Sequence, residues 1–220
     1  MIMSFDPAPR TAHIPRIGDP AANFQATTTE GALDFHDWKK GSWAILFSHP
    51  ADFTPVCSTE LVEFAKEKSF FDARNTKLIG LSIDSIHSHL AWVENLRGIF
   101  DIELPFPMIA DHRGQVAELY GMVHPNESAT VTVRTLFVID PNHKIRATIY
   151  YPLNVGRSTG EVKRLLSALQ TSDKHQVACP VNWADGDKVI VPPPKSNAEV
   201  KERKNANYER LDFYLCKKSV

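Results

Sequence analysis

Apolar positions along this chain fall into short runs and helical faces that alternate. Trp43-Ala44-Ile45-Leu46-Phe47 is a continuous apolar run, the pattern of a strand buried on both faces. After Cys57 the period lengthens. Leu61, Phe64, Ala65 and Lys68 share a helical face, with Glu60, Glu63, Lys66 and Glu67 around it. Lys77 to Ile83 predicts a strand, and Ser85 to Leu96 a helix through Leu90, Val93 and Leu96. A short strand over Pro107 to Ala110 and a short helix over Gln115 to Tyr120 follow. Arg134 to Ile139 and Ile145 to Tyr150 read as strands joined by the turn Asp140-Pro141-Asn142-His143. Thr159 to Leu169 is a closing amphipathic helix.

Strands alternating with helices predict a central sheet with parallel strands and helices on both faces. The late hairpin adds antiparallel strands, so the expected sheet is mixed. A thioredoxin-like α/β domain has this order. Composition shifts after about Gln170, where Pro180, Asp185-Gly186-Asp187 and Pro192-Pro193-Pro194 mark an irregular segment. The expected organisation is a domain over residues 1–170 and a smaller C-terminal extension over residues 171–220. The tail from Asn197 is charged and helical at first. Its apolar end, Phe213, Tyr214 and Leu215, is expected to pack on a partner subunit or back on the main domain.

Composition narrows the function classes. The 220 residues are 43% hydrophobic, enough for one core with an appendage. A net charge of −1 and the lack of a basic stripe exclude nucleic acid as an expected partner. No apolar run approaches the ~18 residues of a membrane span. Met1 to Arg10 holds Asp6, Pro7 and Pro9 and no apolar leader, so the expected location is cytoplasmic. Three cysteines, Cys57, Cys179 and Cys216, are too few for a disulfide framework and form no CxxC pair. Free thiols fit a reducing compartment. His49 and Cys57 lack the paired ligands of a structural zinc site, and neither a metal nor another cofactor is expected.

Cys57 carries the candidate chemistry. A buried strand ends near Phe47, a loop with Pro50 and Pro55 follows, and a helix starts at about Val56. Cys57 thus falls in the first turn of a helix at the carboxyl edge of a strand, where open α/β sheets bind ligands. Unpaired N–H groups and positive potential there favour the thiolate, which is the nucleophile. A helix end supplies only ~0.3–1 kcal/mol, so a cation is wanted as well. Thr54 can donate its hydroxyl to an oxygen bound beside the sulfur, and Pro55 shields one side and fixes the backbone.

The segment Ser48-His49-Pro50-Ala51-Asp52-Phe53-Thr54-Pro55-Val56-Cys57-Ser58-Thr59-Glu60 resembles the peroxiredoxin active site. Its Ser-His-Pro opening resembles the one-cysteine subfamily. Further matching stretches are Phe35-His36-Asp37, Lys77 to Ser85, Leu104-Pro105-Phe106-Pro107, Val133-Arg134, Tyr151-Pro152, Gly156-Arg157 and Pro180-Val181-Asn182-Trp183. The resemblance implies a thiol peroxidase whose Cys57 becomes a sulfenic acid while water or an alcohol leaves. It makes Arg134 the missing cation, with Thr54 aligning the peroxide, His49 lining the pocket, Glu60 bracing Arg134 and Arg157 extending the charge network. Pro50, Pro55, Arg134 and Arg157 would line the substrate site. Expected partners are a peroxide, an external thiol reductant such as thioredoxin or glutathione, and a second copy in a homodimer. A decameric ring of dimers is the larger alternative.

The tail from Tyr208 to Cys216 resembles archaeal-type members in which a late cysteine of another subunit resolves the sulfenic acid, which makes Cys216 a candidate resolving cysteine. Those relatives can carry a second tail cysteine six residues earlier, where this chain has Arg210. Cys179 reads as structural or incidental. Some relatives are also phospholipases with a Gly-Asp-Ser-Trp-Gly segment. Here that stretch is Lys40-Gly41-Ser42-Trp43-Ala44, and Asn142 stands at the matching aspartate, so lipase activity is not expected. A redox sensor or chaperone on the same scaffold is the non-enzymatic alternative.

Overall fold

The computed structural model describes residues 14–220; the leader reading of Met1 to Arg10 lies outside them. The chain divides into two compact units, split between Thr159 and Gly160. The first opens with a hairpin, β1 (Gln25–Thr28) and β2 (Gly31–Asp34), and a short helix α1 (Phe35–Lys39). Next come β3 (Trp43–Ser48), α2 (Pro55–Lys66), α3 (Lys68–Asp72), β4 (Thr76–Ser82) and α4 (Ile86–Phe100). β5 (Met108–Ala110), α5 (Gln115–Leu119), β6 (Arg134–Ile139) and β7 (Ile145–Tyr151) complete it.

These strands form one sheet in the order β2-β1-β5-β4-β3-β6-β7. β3 pairs in parallel with β4, and β4 with β5, whereas the other pairings are antiparallel. The sheet is mixed, as expected, with its parallel part confined to three strands at the centre. All six residues of β3 are buried, which is why its sequence reads as an unbroken apolar run. One core cluster gathers Phe24, Phe35, Tyr120 and Phe137 under the sheet. Phe24 stacks on Phe35 at 4.7 Å, and Phe47 on Phe64 at 4.6 Å.

Two helices differ from the pattern read along the chain. The helix after Cys57 breaks at Glu67, so Lys68 opens α3 rather than continuing the α2 face. On α4 the buried stripe is His89, Trp92 and Leu96, and Leu90 is exposed. His89 and Trp92 thus stand buried where Leu90 and Val93 were expected, and the two stripes meet at Leu96. Ser85 caps this helix by accepting from the Ser88 N–H, and Asp101 ends it in the left-handed region.

The second unit begins with α6 (Thr159–His175), longer than the sequence pattern implied. α6 therefore falls mostly in the second unit, whereas the expected boundary after Gln170 placed it in the first. β8 (Val189–Ile190), α7 (Asn197–Asn205), β9 (Glu209–Asp212) and β10 (Leu215–Lys218) follow, and the strands form a small sheet in the order β8-β10-β9. Val177, Trp183 and Val189 make a small core in this unit. The apolar tail end is the tip of a hairpin, where Phe213 and Tyr214 are exposed. No helix among the described residues is long and apolar enough to cross a membrane.

Candidate active site

The site forms where β3 ends and α2 begins. Thr54 is the N-cap of α2 and Pro55 its first helical residue, a position that needs no backbone N–H. Cys57 therefore sits in the first turn, and it is fully buried. Pro50 is buried in the loop, whereas Pro55 is exposed. The Thr54 hydroxyl donates to the Ala51 carbonyl at 2.8 Å and makes no capping bond. Its proton is already placed, so the oxygen offers lone pairs to the site. This differs from the donor role expected of it. Phe53, just before, is held at φ 53°, a conformation that costs a bulky residue about 1 to 3 kcal/mol. Its neighbours pin the turn, with the Asp52 N–H donating to Asp84 Oδ2 at 3.0 Å.

Arg134 is the first residue of β6, 77 positions from Cys57. β6 pairs with β3, which brings its start beside the end of β3. Arg134 Nη1 donates to Cys57 Sγ at 3.3 Å and to Glu60 Oε2 at 2.8 Å. Its Nε and Nη2 both donate to the Leu153 carbonyl, which fixes the guanidinium plane. Glu60 stands one turn beyond Cys57 on α2 and also accepts from Arg157. Arg157 N and Nε reach Oε1 at 2.7 and 2.8 Å, and Nη2 reaches Oε2 at 2.8 Å. All three charged side chains are buried. Burial would raise the Glu60 carboxyl, but Arg157, and then Arg134, hold it below the usual glutamate value. Two cations against one carboxylate leave one positive charge for a thiolate to balance.

His49 belongs to a second buried cluster. Its Nε2 lies 3.0 Å from Asp52 Oδ1, and His89 Nδ1 lies 2.8 Å from Asp52 Oδ2. His49 Nδ1 is buried with no hydrogen-bond partner among the described residues, which costs about 1 to 3 kcal/mol. Burial lowers the pKa of His49, against the pull of Asp52. Among the described residues, His49, Asp52 and His89 form the one group whose ligand atoms converge as a metal site would require, within 4.8 Å. Sequence reasoning named His49 but missed its partners. Asp52 lay inside the motif as a neighbour, and His89 was hidden because a histidine on a helix face gives no apolar signal.

The three thiols are all free. Cys216 is buried on β10, where its Sγ donates to the Asp212 carbonyl at 3.4 Å. Cys179 donates to the Ala168 carbonyl at 3.5 Å, and burial raises its thiol pKa. Ser42 donates to Asn75 Oδ1 at 3.0 Å, and His36 Nε2 donates to the Ala21 carbonyl at 2.8 Å. A serine hydrolase needs these two side chains paired with each other.

A sequence model of the AhpC/TSA family matches residues 17–148, and one for the C-terminal domain of 1-Cys peroxiredoxin matches residues 168–206. A peroxiredoxin of Aquifex aeolicus is 52% identical over 217 residues, spanning 94% of this chain and 98% of its own. One from Methanosarcina mazei is 48% identical over 214 residues, spanning 93% and 98%. Among solved structures, a yeast mitochondrial 1-Cys peroxiredoxin, described with thiol resolution via glutathione/thioredoxin systems, is 45% identical. It has a TM-score of 0.86 and covers 94% of this chain and 100% of its own. Peroxiredoxin 6 of Arenicola marina, solved as a cysteine-to-serine mutant, is 36% identical with a TM-score of 0.84, covering 93% and 98%.

Proposed function

The chain belongs to the AhpC/TSA family, and on that premise we propose that this thiol-dependent peroxidase reduces hydrogen peroxide and organic hydroperoxides through Cys57. The observation that carries the assignment is the Arg134 Nη1 contact to Cys57 Sγ at 3.3 Å, in a cluster that a thiolate would bring to zero net charge. In the reaction the thiolate pair forms an S–O bond with one peroxide oxygen. The O–O pair leaves on the other oxygen as hydroxide or alkoxide and takes a proton to become water or an alcohol. Sulfur is oxidised by two electrons to the sulfenic acid, and the peroxide is reduced by two.

Arg134 holds the thiolate and stabilises the charge that grows on the leaving oxygen. Glu60 and Arg157 keep Arg134 in place, and Arg157 adds positive potential. Thr54 accepts a peroxide O–H through its free lone pairs and holds the O–O bond in line with sulfur. His49, Pro50 and Pro55 shape the pocket around the bound oxygens.

The cycle closes with an external thiol, which condenses with the sulfenic acid to a mixed disulfide and water; a second thiol then releases Cys57. Thioredoxin and glutathione are the reductants of choice, since the yeast relative is described with both systems. Resolution by Cys216 is the alternative route, and it would first take its thiol out of the tail hairpin, where it donates to the Asp212 carbonyl. The extension from Gly160 serves dimerisation, and the protein acts in the cytoplasm as a homodimer. Steady-state peroxide consumption with dithiol and monothiol reductants tests the reading. Cys57→Ser should abolish turnover, and Arg134→Ala should slow it about 10²- to 10³-fold. A single stoichiometric oxidation without turnover would instead mark a redox sensor.

A further inference from the structure

Leu153 is gripped at both of its backbone polar groups by one stretch of chain. Its carbonyl accepts from Arg134 Nε at 3.0 Å and from Arg134 Nη2 at 2.6 Å. Its N–H donates to Glu127 Oε1 at 3.0 Å. Glu127 and Arg134 belong to the same segment, the one that leads into β6. The carbonyl matters because of what it holds. Arg134 Nη1 reaches Cys57 Sγ at 3.3 Å and Glu60 Oε2 at 2.8 Å, while the other edge of the guanidinium meets the Leu153 oxygen. A guanidinium donates in a fixed plane, so the place of that oxygen sets the angle at which Nη1 meets the sulfur.

This carbonyl comes from a loop with little packing of its own. Pro152, Asn154, Val155 and Gly156 are exposed, and the Val155 N–H meets the Pro152 carbonyl at a long 3.4 Å. The loop lies against the helix that carries Cys57. A Cβ built on Gly156 would stand 3.4 Å from Val56 Cγ1 and 3.8 Å from Glu60 Cγ. At the end of the loop the Arg157 N–H donates to Glu60 Oε1 at 2.7 Å. Those bonds tie the loop to the charge cluster itself, whereas Glu127 ties it to a separate mount. The Glu127 and Ser128 N–H groups both donate to the His124 carbonyl at 2.9 Å. Ser128 Oγ accepts from the N–H groups of Thr130 at 3.3 Å and Val131 at 3.2 Å. The Val133 N–H donates to the Met122 carbonyl at 2.9 Å, which anchors the segment just before Arg134. A carboxylate on an amide N–H makes a charge-assisted bond, stronger than a neutral one.

We propose that Glu127 is a positioning residue for the peroxidase reaction: by holding the Leu153 loop, it fixes the carbonyl that aims Arg134 at Cys57 and at the leaving oxygen. The proposal rests on the assignment of Cys57 as the peroxidatic thiol and of Arg134 as its cation. Glu127 touches no reacting atom and acts through the loop. Its side chain is exposed, so it adds little to the stability of the fold. With the loop held, the guanidinium is in place before peroxide arrives. With the loop released, Arg134 must be ordered again at each encounter, and a misplacement of about 1 Å can slow a reaction about 10²-fold.

Single-turnover stopped-flow rates of Cys57 oxidation by hydrogen peroxide test this. Glu127→Ala should be about tenfold slower than wild type, with an unfolding midpoint in urea close to that of wild type. Glu127→Gln keeps an oxygen that can accept the Leu153 N–H, so it should recover most of the rate. In an Arg134→Ala background, adding Glu127→Ala should slow oxidation by about twofold at most, because the group it positions is gone. A Glu127→Ala rate equal to wild type would overturn the proposal. So would a tenfold loss that persists without Arg134, or a Glu127→Gln protein as slow as Glu127→Ala. A folded Cys57→Ser protein that still turns over peroxide would instead bring down the assignment of Cys57 beneath it.

Discussion

Glu60 is the residue on which the buried charge cluster turns. It accepts from Arg134 and from three nitrogens of Arg157, so its loss leaves two like charges in the core with one of their shared partners gone. Breaking a buried pair from one side costs about 3 to 5 kcal/mol, so Glu60→Gln should lower the unfolding free energy by a figure in that range, read from urea midpoints. The pH dependence has a definite sign. The folded carboxyl is held below its unfolded value of about 4.3, so its stabilisation is complete above that value and is lost as pH falls through the folded one. The gap between wild type and Glu60→Gln should therefore be widest near neutral pH and close in acid. A gap that stays constant down to pH ~2 would contradict the depressed carboxyl.

At the scale of elements, α2 separates a structural role from a chemical one. Its N-cap, Thr54, makes no side-chain capping bond, and its hydroxyl is tied to Ala51. Thr54→Val removes one hydrogen bond that is only partly buried, so stability should fall by about 1 kcal/mol at most. Peroxide reduction should nevertheless slow about 100-fold if Thr54 has the proposed role of orienting the substrate. A thermal melt beside a stopped-flow trace of Cys57 oxidation checks both halves. The same helix shows what was legible in the sequence. β3 and β6 were readable because strands buried on both faces carry unbroken apolar runs, Trp43 to Phe47 and Leu136 to Ile139, and the start of α2 because proline marks it. β1 and β2, with sequences QATT and GALD, carry no such pattern and are held by pairing with each other and with β5. Arg134 lies 77 residues from Cys57, a separation that no local period can reveal, and only the family resemblance supplied it. The buried side of α4 was misread because Leu90 looked like core, whereas His89 fills that place with its two nitrogens satisfied by Asp52 and Ile109.

For the whole molecule, the open matter is which thiol closes the cycle. A resolving role for Cys216 would require its sulfur to leave the β9–β10 hairpin, where it is buried and donates to Asp212. The hairpin is short and its β9 residues are exposed, so opening it is not forbidden, but each opening breaks ladder hydrogen bonds before any disulfide forms. An external thiol needs no such step in the tail. After one equivalent of peroxide, non-reducing electrophoresis should therefore show a monomer, and Cys216→Ser should consume peroxide at close to the wild-type rate, because the external-thiol route does not use its sulfur. A disulfide-linked dimer that disappears in Cys216→Ser would reverse this and make the tail the resolving arm. The exposed Phe213 and Tyr214 at the hairpin tip supply the matching test of assembly. If they are covered by a second copy, replacing both with glutamate should shift the sedimentation coefficient toward that of a monomer while Cys57 still reacts with peroxide. If the coefficient stays fixed, Phe213 and Tyr214 are not part of a subunit interface.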